Sequence, residues 1–243
     1  MQRFFVKEDA IVGDSVYIKG DDAYHIGRSL RMKRGEMIEV CPSDSVVLLC
    51  ELTSFTDSLV VAKVIESSAA LSEPPCKIHI YQALPKGDKL ETVVQKSVEC
   101  GACSVTPFVS ERCIAKAGDN FGKKLERYNR IALEAAKQSG RASVPVVRPL
   151  LTYEQMLKEA ARCDIPLFCY EADGTAPLGR LLKRDVNDIS VVIGSEGGFS
   201  ENEALRAKEN GMLLSGLGKR ILRTETASTF VLSCLALYYE LDI

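Results

Sequence analysis

Ser190-Val191-Val192-Ile193-Gly194-Ser195-Glu196-Gly197-Gly198 is the stretch on which the reading of this chain turns. Its uncharged, β-branched first half is a strand buried on both faces, as strands inside a parallel sheet are. The glycines after it let backbone approach a ligand at the strand's carboxyl end, where open α/β sheets place their pockets. A plain tight strand-to-helix turn would use the same glycines. The stretch is not Gly-x-Gly-x-x-Gly and lacks the lysine of a phosphate-binding loop, so neither a dinucleotide fingerprint nor a triphosphate site is supported.

Outward from this loop, strands and helices alternate. Ser200-Glu201-Asn202-Glu203 is a capping box that opens a helix ending at Gly211, and residues 213–217 form the next strand. Upstream lie a strand at 165–170, a helix opened by the Thr152-Tyr153-Glu154-Gln155 box and running to about 163, and a long helix at 121–139 closed by Gly140. A strand at 105–109, a helix at 88–100 and a strand at 78–84 precede them. This grammar predicts a mostly parallel sheet with helices on both faces. The last helix, 226–241, carries no charge between Glu225 and Glu240, so it is expected to be buried on most sides, in the core or against a second subunit.

A second constellation, Leu217-Gly218-Lys219-Arg220-Ile221-Leu222-Arg223-Thr224-Glu225-Thr226-Ala227, also follows a strand. Apolar Ile221 and Leu222 between charged residues suit a segment that walls a pocket and presents Arg223 and Glu225 to it. Its alternative is a capped helix start with Glu225 at the positive end of the dipole.

Before residue 66 the pattern is short β-runs at 4–6, 16–18, 37–40, 46–52 and 59–65, which predict a small barrel, and residues 67–75 read as a linker. Domains are thus expected at 1–70 and 71–243. No apolar run approaches the roughly 20 residues that span a bilayer, and no signal peptide opens the chain, so a cytoplasmic protein without a membrane partner is expected. Nine cysteines at irregular spacing suit packing in a reducing compartment. Cys100 and Cys103 alone have metal spacing, and with His25 and His79 as the only histidines no metal site is expected. The net charge of −2 leaves only a local basic cluster, Arg28, Arg31, Lys33 and Arg34, which is either a solvated turn or a phosphate-binding one.

Taken together, these segments resemble the RsmE family of bacterial small-subunit ribosomal RNA uridine-N3 methyltransferases, within the SPOUT superfamily. The resemblance runs through Arg3-Phe4-Phe5-Val6, His25-Ile26-Gly27-Arg28-Ser29-Leu30-Arg31, Gln95-Lys96 to Gly101, Pro107, Ser110-Glu111-Arg112, residues 134–141, and Ile221-Leu222-Arg223-Thr224-Glu225-Thr226-Ala227. It covers essentially the whole chain in order. Two departures stand out. Ser195 occupies the proline position of the family's Gly-Pro-Glu-Gly-Gly, and Glu99-Cys100-Gly101-Ala102 replaces Glu-Leu-Gly-Val, which places the cysteine pair at apolar positions.

The resemblance implies an α/β SPOUT-type domain with a deep trefoil knot, preceded by a PUA-like β-barrel that binds RNA. It implies S-adenosylmethionine as cofactor, 16S ribosomal RNA in the assembled small subunit as partner, and a homodimer. The donor pocket maps to Tyr170 and Glu171, to Ile193, Gly194, Glu196, Gly197 and Gly198, and to Leu217, Gly218, Ile221, Leu222, Thr226 and Ala227. Glu225 is the expected proton acceptor for uridine N3, and Arg223 the expected stabiliser of the uridine anion. Arg28, Arg31, Lys33 and Arg34 then become phosphate contacts, with Arg112 near the cleft and His25 as a further RNA contact beside its reading as a turn or core histidine. Two rivals remain: a catalytically inactive RNA-binding protein on the same scaffold, and a nucleotide-dependent oxidoreductase, against which the missing dinucleotide fingerprint counts.

Overall fold

The computed structural model describes residues 1–56, 58–114 and 121–241. Two compact units are present, one of Met1–Glu73 with Ala136–Val144 and the other of Pro74–Ala135 with Pro145–Ile243. Among the described residues no helix is long and apolar enough to cross a membrane.

The first unit holds β1 (Gln2–Phe5), β2 (Ile11–Val12), β3 (Ser15–Lys19), β4 (Met37–Ser43), β5 (Val46–Phe55) and β6 (Leu59–Ala69) in one sheet of order β1-β4-β5-β6-β3-β2. β1 runs parallel to β4 and the other pairs are antiparallel. Alternate residues, among them Phe4, Val16, Ile18, Ile38, Val40, Cys50, Leu52 and Val60, meet in one apolar cluster, as the period of two requires. The ring anticipated from these short strands is not closed by hydrogen bonds: β1 and β2 are edge strands, and β2 spans only two residues.

A short helix α1 (Asp21–Tyr24) continues as a π-helical turn over His25–Ser29, an element too brief for periodicity to reveal. The anticipated linker at 67–75 is shorter than its composition suggests, because Ser67, Ser68 and Ala69 continue β6 and pair with Leu48, Val47 and Val46. Glu73 is also pinned rather than free. Its carboxylate accepts from Arg141 at 2.6 Å, from the amide of Ala142 at 2.8 Å and from Ser143 Oγ at 2.9 Å.

The second unit is built on strands β7 (Lys77–Ala83), β8 (Ser104–Val109), β9 (Val146–Val147), β10 (Leu151–Thr152), β11 (Ile165–Cys169), β12 (Ala176–Pro177), β13 (Asp188–Ile193) and β14 (Leu213–Gly216). Their order is β10-β8-β7-β13-β11-β14-β12, with β9 also on β8, and every pair is parallel. The helices are α2 (Lys89–Glu99), α3 (Phe121–Ser139, of which the residues from Ala136 on belong to the first unit), α4 (Tyr153–Ala160), α5 (Leu178–Leu181), α6 (Glu201–Glu209) and α7 (Thr224–Tyr239). Both anticipated capping boxes form, at Thr152 with Gln155 and at Ser200 with Glu203. Aromatic side chains anchor one core cluster, with Phe108 and Phe199 stacked and the tilted rings of Phe168 and Phe199 4.2 Å apart between centroids.

α7 is apolar all round yet buries one stripe, Thr224, Ala227, Ser228, Val231, Leu232 and Leu235, while Leu237 stays 45% exposed. Within the chain, therefore, only part of the anticipated burial is realised.

Burial alone would lift the Glu73 carboxyl, but hydrogen bonds and charge from Arg141, with help from Ser143 and Ala142, hold it below its ordinary 4.5. Such a group stabilises the fold above that value and loses its contribution as pH falls through the lowered one. Glu73→Ala removes the carboxylate that pairs with the nearly buried Arg141 and accepts from Ala142 and Ser143, and is expected to cost about 3–5 kcal/mol in urea unfolding at pH 7, with part of it recovered on adding Arg141→Met.

Candidate functional site

Parallel pairing places the carboxyl ends of neighbouring β13, β11 and β14 on one edge of the sheet. The loops leaving those three ends enclose a cavity of about 360 Å³. From the end of β11 it takes Cys169, Tyr170 and Glu171; from the end of β13, Ile193, Gly194, Ser195, Glu196, Gly198 and Phe199. Leu217, Gly218, Arg220, Ile221, Leu222, Arg223, Thr224 and Ala227 follow β14, and Lys89 enters from the start of α2.

Two loops distant in sequence are held together by a buried side chain from a third strand. Gln82, at the end of β7, donates from Nε2 to Thr224 Oγ1 at 2.8 Å and to the Gly194 carbonyl at 3.2 Å. Thr224 Oγ1 in turn donates to the same carbonyl at 2.6 Å. The glycine loop turns tightly, closed by Gly198 N–H to Ser195 O at 3.0 Å, with Gly198 at φ +63°. A Cβ at Gly198 would stand 3.1 Å from Glu171 Oε1 in addition to the backbone strain, so a glycine is needed there on both counts.

Charge collects at one side of the cavity. Lys89 Nζ donates to Glu196 Oε1 at 2.7 Å, and the Lys86 amide reaches the same carboxylate at 3.2 Å. Burial opposes ionisation of Glu196, yet the Lys89 and Lys86 hydrogen bonds hold its carboxyl below the ordinary carboxylate value. Its hydrogen bond to Glu196 raises the Lys89 ammonium, and Glu225 adds to that while Arg223 opposes it. Arg112 donates to the Gly197 carbonyl at 3.1 Å and so braces the glycine loop from outside the cavity. Burial pushes the thiol of Cys169, which also lines the cavity, up to about 12.

The structure therefore brings together most of the anticipated donor residues: Tyr170, Glu171, Ile193, Gly194, Glu196, Gly198, Leu217, Gly218, Ile221, Leu222 and Ala227 line the cavity. Gly197 and Thr226 do not, although each adjoins a residue that does. Arg223 lines it and is the N-cap of α7. Glu225 lies in the first turn of α7 without lining the cavity, and its Oε2 is buried with no hydrogen-bond partner among the described residues. In the first unit His25, Arg28, Arg31, Lys33 and Arg34 are all exposed on and after the π-helical turn, and Arg31 has φ 53°. Gln82, Lys89 and Thr224 escaped the sequence reading. Gln82 looked like one more strand residue, and nothing in the spacing ties residue 82 to residue 224. Among the described residues no cluster of three potential metal ligands occurs, and all nine cysteines are free.

Fold and site together define a parallel α/β protein with a small-molecule pocket at the carboxyl edge of its sheet. A family model described as an RNA methyltransferase domain matches residues 72–236. The chain is 36% identical to the ribosomal RNA small subunit methyltransferase E of Bacillus subtilis, over 99% of this chain and 98% of that one. It is 31% identical to the protein of the same name from Synechocystis, over 95% and 76%. The solved ribosomal RNA small subunit methyltransferase E from Neisseria gonorrhoeae, bound to S-adenosyl methionine, superposes with a TM-score of 0.84 at 30% identity, covering 98% of both chains. The chain belongs to the ribosomal RNA small subunit methyltransferase E family.

Thr224→Val removes the two hydrogen bonds by which the hydroxyl bridges Gln82 and the Gly194 carbonyl, while the Ala83 and Gly194 carbonyls still accept from Gln82 Nε2. It is expected to cost about 1–3 kcal/mol, read as a drop of roughly 2–4 °C in Tm per kcal/mol by differential scanning calorimetry.

Proposed function

We propose that this protein transfers the methyl group of S-adenosylmethionine to N3 of a specific uridine in 16S ribosomal RNA. The observation that carries this reading is the single cavity into which the loops at 194–198 and 217–223 converge, in a chain of this family. The residues fit the donor: Ile193, Leu217, Leu222 and Ala227 offer apolar walls for a purine, while Lys89, Glu171 and Glu196 offer charge for its polar parts.

Bound there, S-adenosylmethionine supplies an electrophilic sulfonium methyl, which needs no metal to be activated. The protein's part is alignment and removal of the N3 proton. Glu225, in the first turn of α7 next to the cavity-lining Thr224, accepts that proton. Arg223, exposed at the cavity mouth, stabilises the charge developing on the uracil ring. Watson–Crick pairing occupies N3, so the target uridine is unpaired or flipped out.

Residues 1–70 act as a PUA-like RNA-binding module, with His25, Arg28, Arg31, Lys33 and Arg34 on an exposed turn facing phosphates, and Arg112 contributes beside the cavity. Residues 71–243 form a SPOUT-type domain with a deep trefoil knot. It works in the cytoplasm as a homodimer, in which the apolar side of α7, with Leu237 45% exposed, is covered by a second copy. The assembled small subunit is the substrate.

Incubation with unmodified small subunits and labelled donor, followed by nucleoside mass spectrometry, is expected to give 3-methyluridine at one position. A bound but unmodified RNA would favour the non-catalytic alternative. Glu225→Gln should slow single turnover by roughly 10²–10⁴-fold and Arg223→Ala by roughly 10²–10³-fold, and near-normal rates in both would remove these two roles. Neutralising Arg28 and Arg31 together should weaken RNA binding, reduce the steepness of its salt dependence by about two phosphate contacts, and leave donor affinity intact.

A further inference from the structure

We propose that Lys89 and Glu196 form the subsite for the amino-acid end of the donor, with Lys89 taking its α-carboxylate and Glu196 its α-ammonium. This rests on the donor reading of the cavity and adds what holds one half of that ligand.

Both side chains line the cavity and both are partly exposed, at 39% and 28%. Of the three N–H donors of Lys89, Glu196 Oε1 takes one, at 2.7 Å. Glu196 is fixed from the opposite side by the Lys86 amide, at 3.2 Å to Oε1 and 3.4 Å to Oε2, which leaves acceptor capacity on Oε2. A carboxylate and an ammonium at 2.7 Å make a fixed dipole. The amino-acid end of the donor is itself a zwitterion, whose two charges pair with that dipole when laid against it in reverse. Because the pair is held by the turn before α2 and by the glycine loop, its two charges are set before the ligand arrives, which saves ordering on binding. Two other cations line the cavity, Arg220 and Arg223, and both sit on the loop after β14. Among the described residues neither forms an ion pair with a carboxylate, so neither offers the paired charges that a zwitterion matches.

Titration calorimetry with two donor analogues separates this from a role in holding the loop. S-adenosylhomocysteine carries the amino-acid end, and 5′-methylthioadenosine lacks it. The wild-type protein is expected to prefer S-adenosylhomocysteine. Lys89→Met should cut that preference by roughly tenfold to a hundredfold, as loss of a charge-assisted hydrogen bond does, while 5′-methylthioadenosine affinity changes by no more than about threefold. Lys89→Arg should keep most of the preference, and Lys158→Met, exposed on α4 and outside the cavity lining, should leave it unchanged. Equal weakening of both ligands by Lys89→Met would make Lys89 a brace for the loop and overturn the subsite, as would an unaltered preference or a preference that collapses in Arg220→Met instead. A wild-type protein that binds neither analogue overturns the donor reading itself, and the subsite with it.

Discussion

Everything at this site depends on three hydrogen bonds in a dry place: Gln82 to Thr224, Gln82 to the Gly194 carbonyl, and Thr224 to that same carbonyl. A parallel sheet brings the carboxyl ends of β13, β11 and β14 to one edge, but it does not by itself decide whether the loops leaving them lean together or apart. Gln82 and Thr224 are both buried, where an unmet polar group is costly, so the loops are drawn into the arrangement that satisfies the Gln82 Nε2 donors and the Thr224 hydroxyl, although Gln82 Oε1 finds no partner among the described residues. A cavity between the loops is the geometric result.

Much of the architecture could be read from residues alone. The uncharged β-branched run at 190–193, the two capping boxes and the helix-ending glycines each have a local cause, and β13, α4 and α6 appear near where those causes place them. What escaped were elements too short to show a period, such as β9, β10, β12 and the π-helical turn, whose existence rests on partners elsewhere in the chain. The stretch 67–75 misled for a different reason. Its small polar residues look like a tether, yet their backbone groups serve β6 equally well, and Glu73 finds a cluster of donors at 141–143 that no local pattern foretells.

The same divide runs through the site. Glycines and apolar residues beside charges mark a pocket wall because they break the usual solvated-loop pattern, so both wall segments were legible. Gln82, Lys89 and Thr224 were not, because a polar residue at a strand end or helix start is ordinary until its partner is known. Glu225 shows the limit in another way. Its position in the first turn of α7 satisfies the helix dipole, and only the folded chain shows that one of its oxygens is enclosed without a donor among the described residues.

The shared Gly194 carbonyl has a dynamic corollary. Neither loop can swing outward without breaking bonds that anchor the other, so backbone amides on the two segments should trade hydrogens with solvent in a single concerted opening rather than in two independent ones. Access to the cavity is then governed by one event, and its frequency is set as much by a glutamine on a neighbouring strand as by either wall.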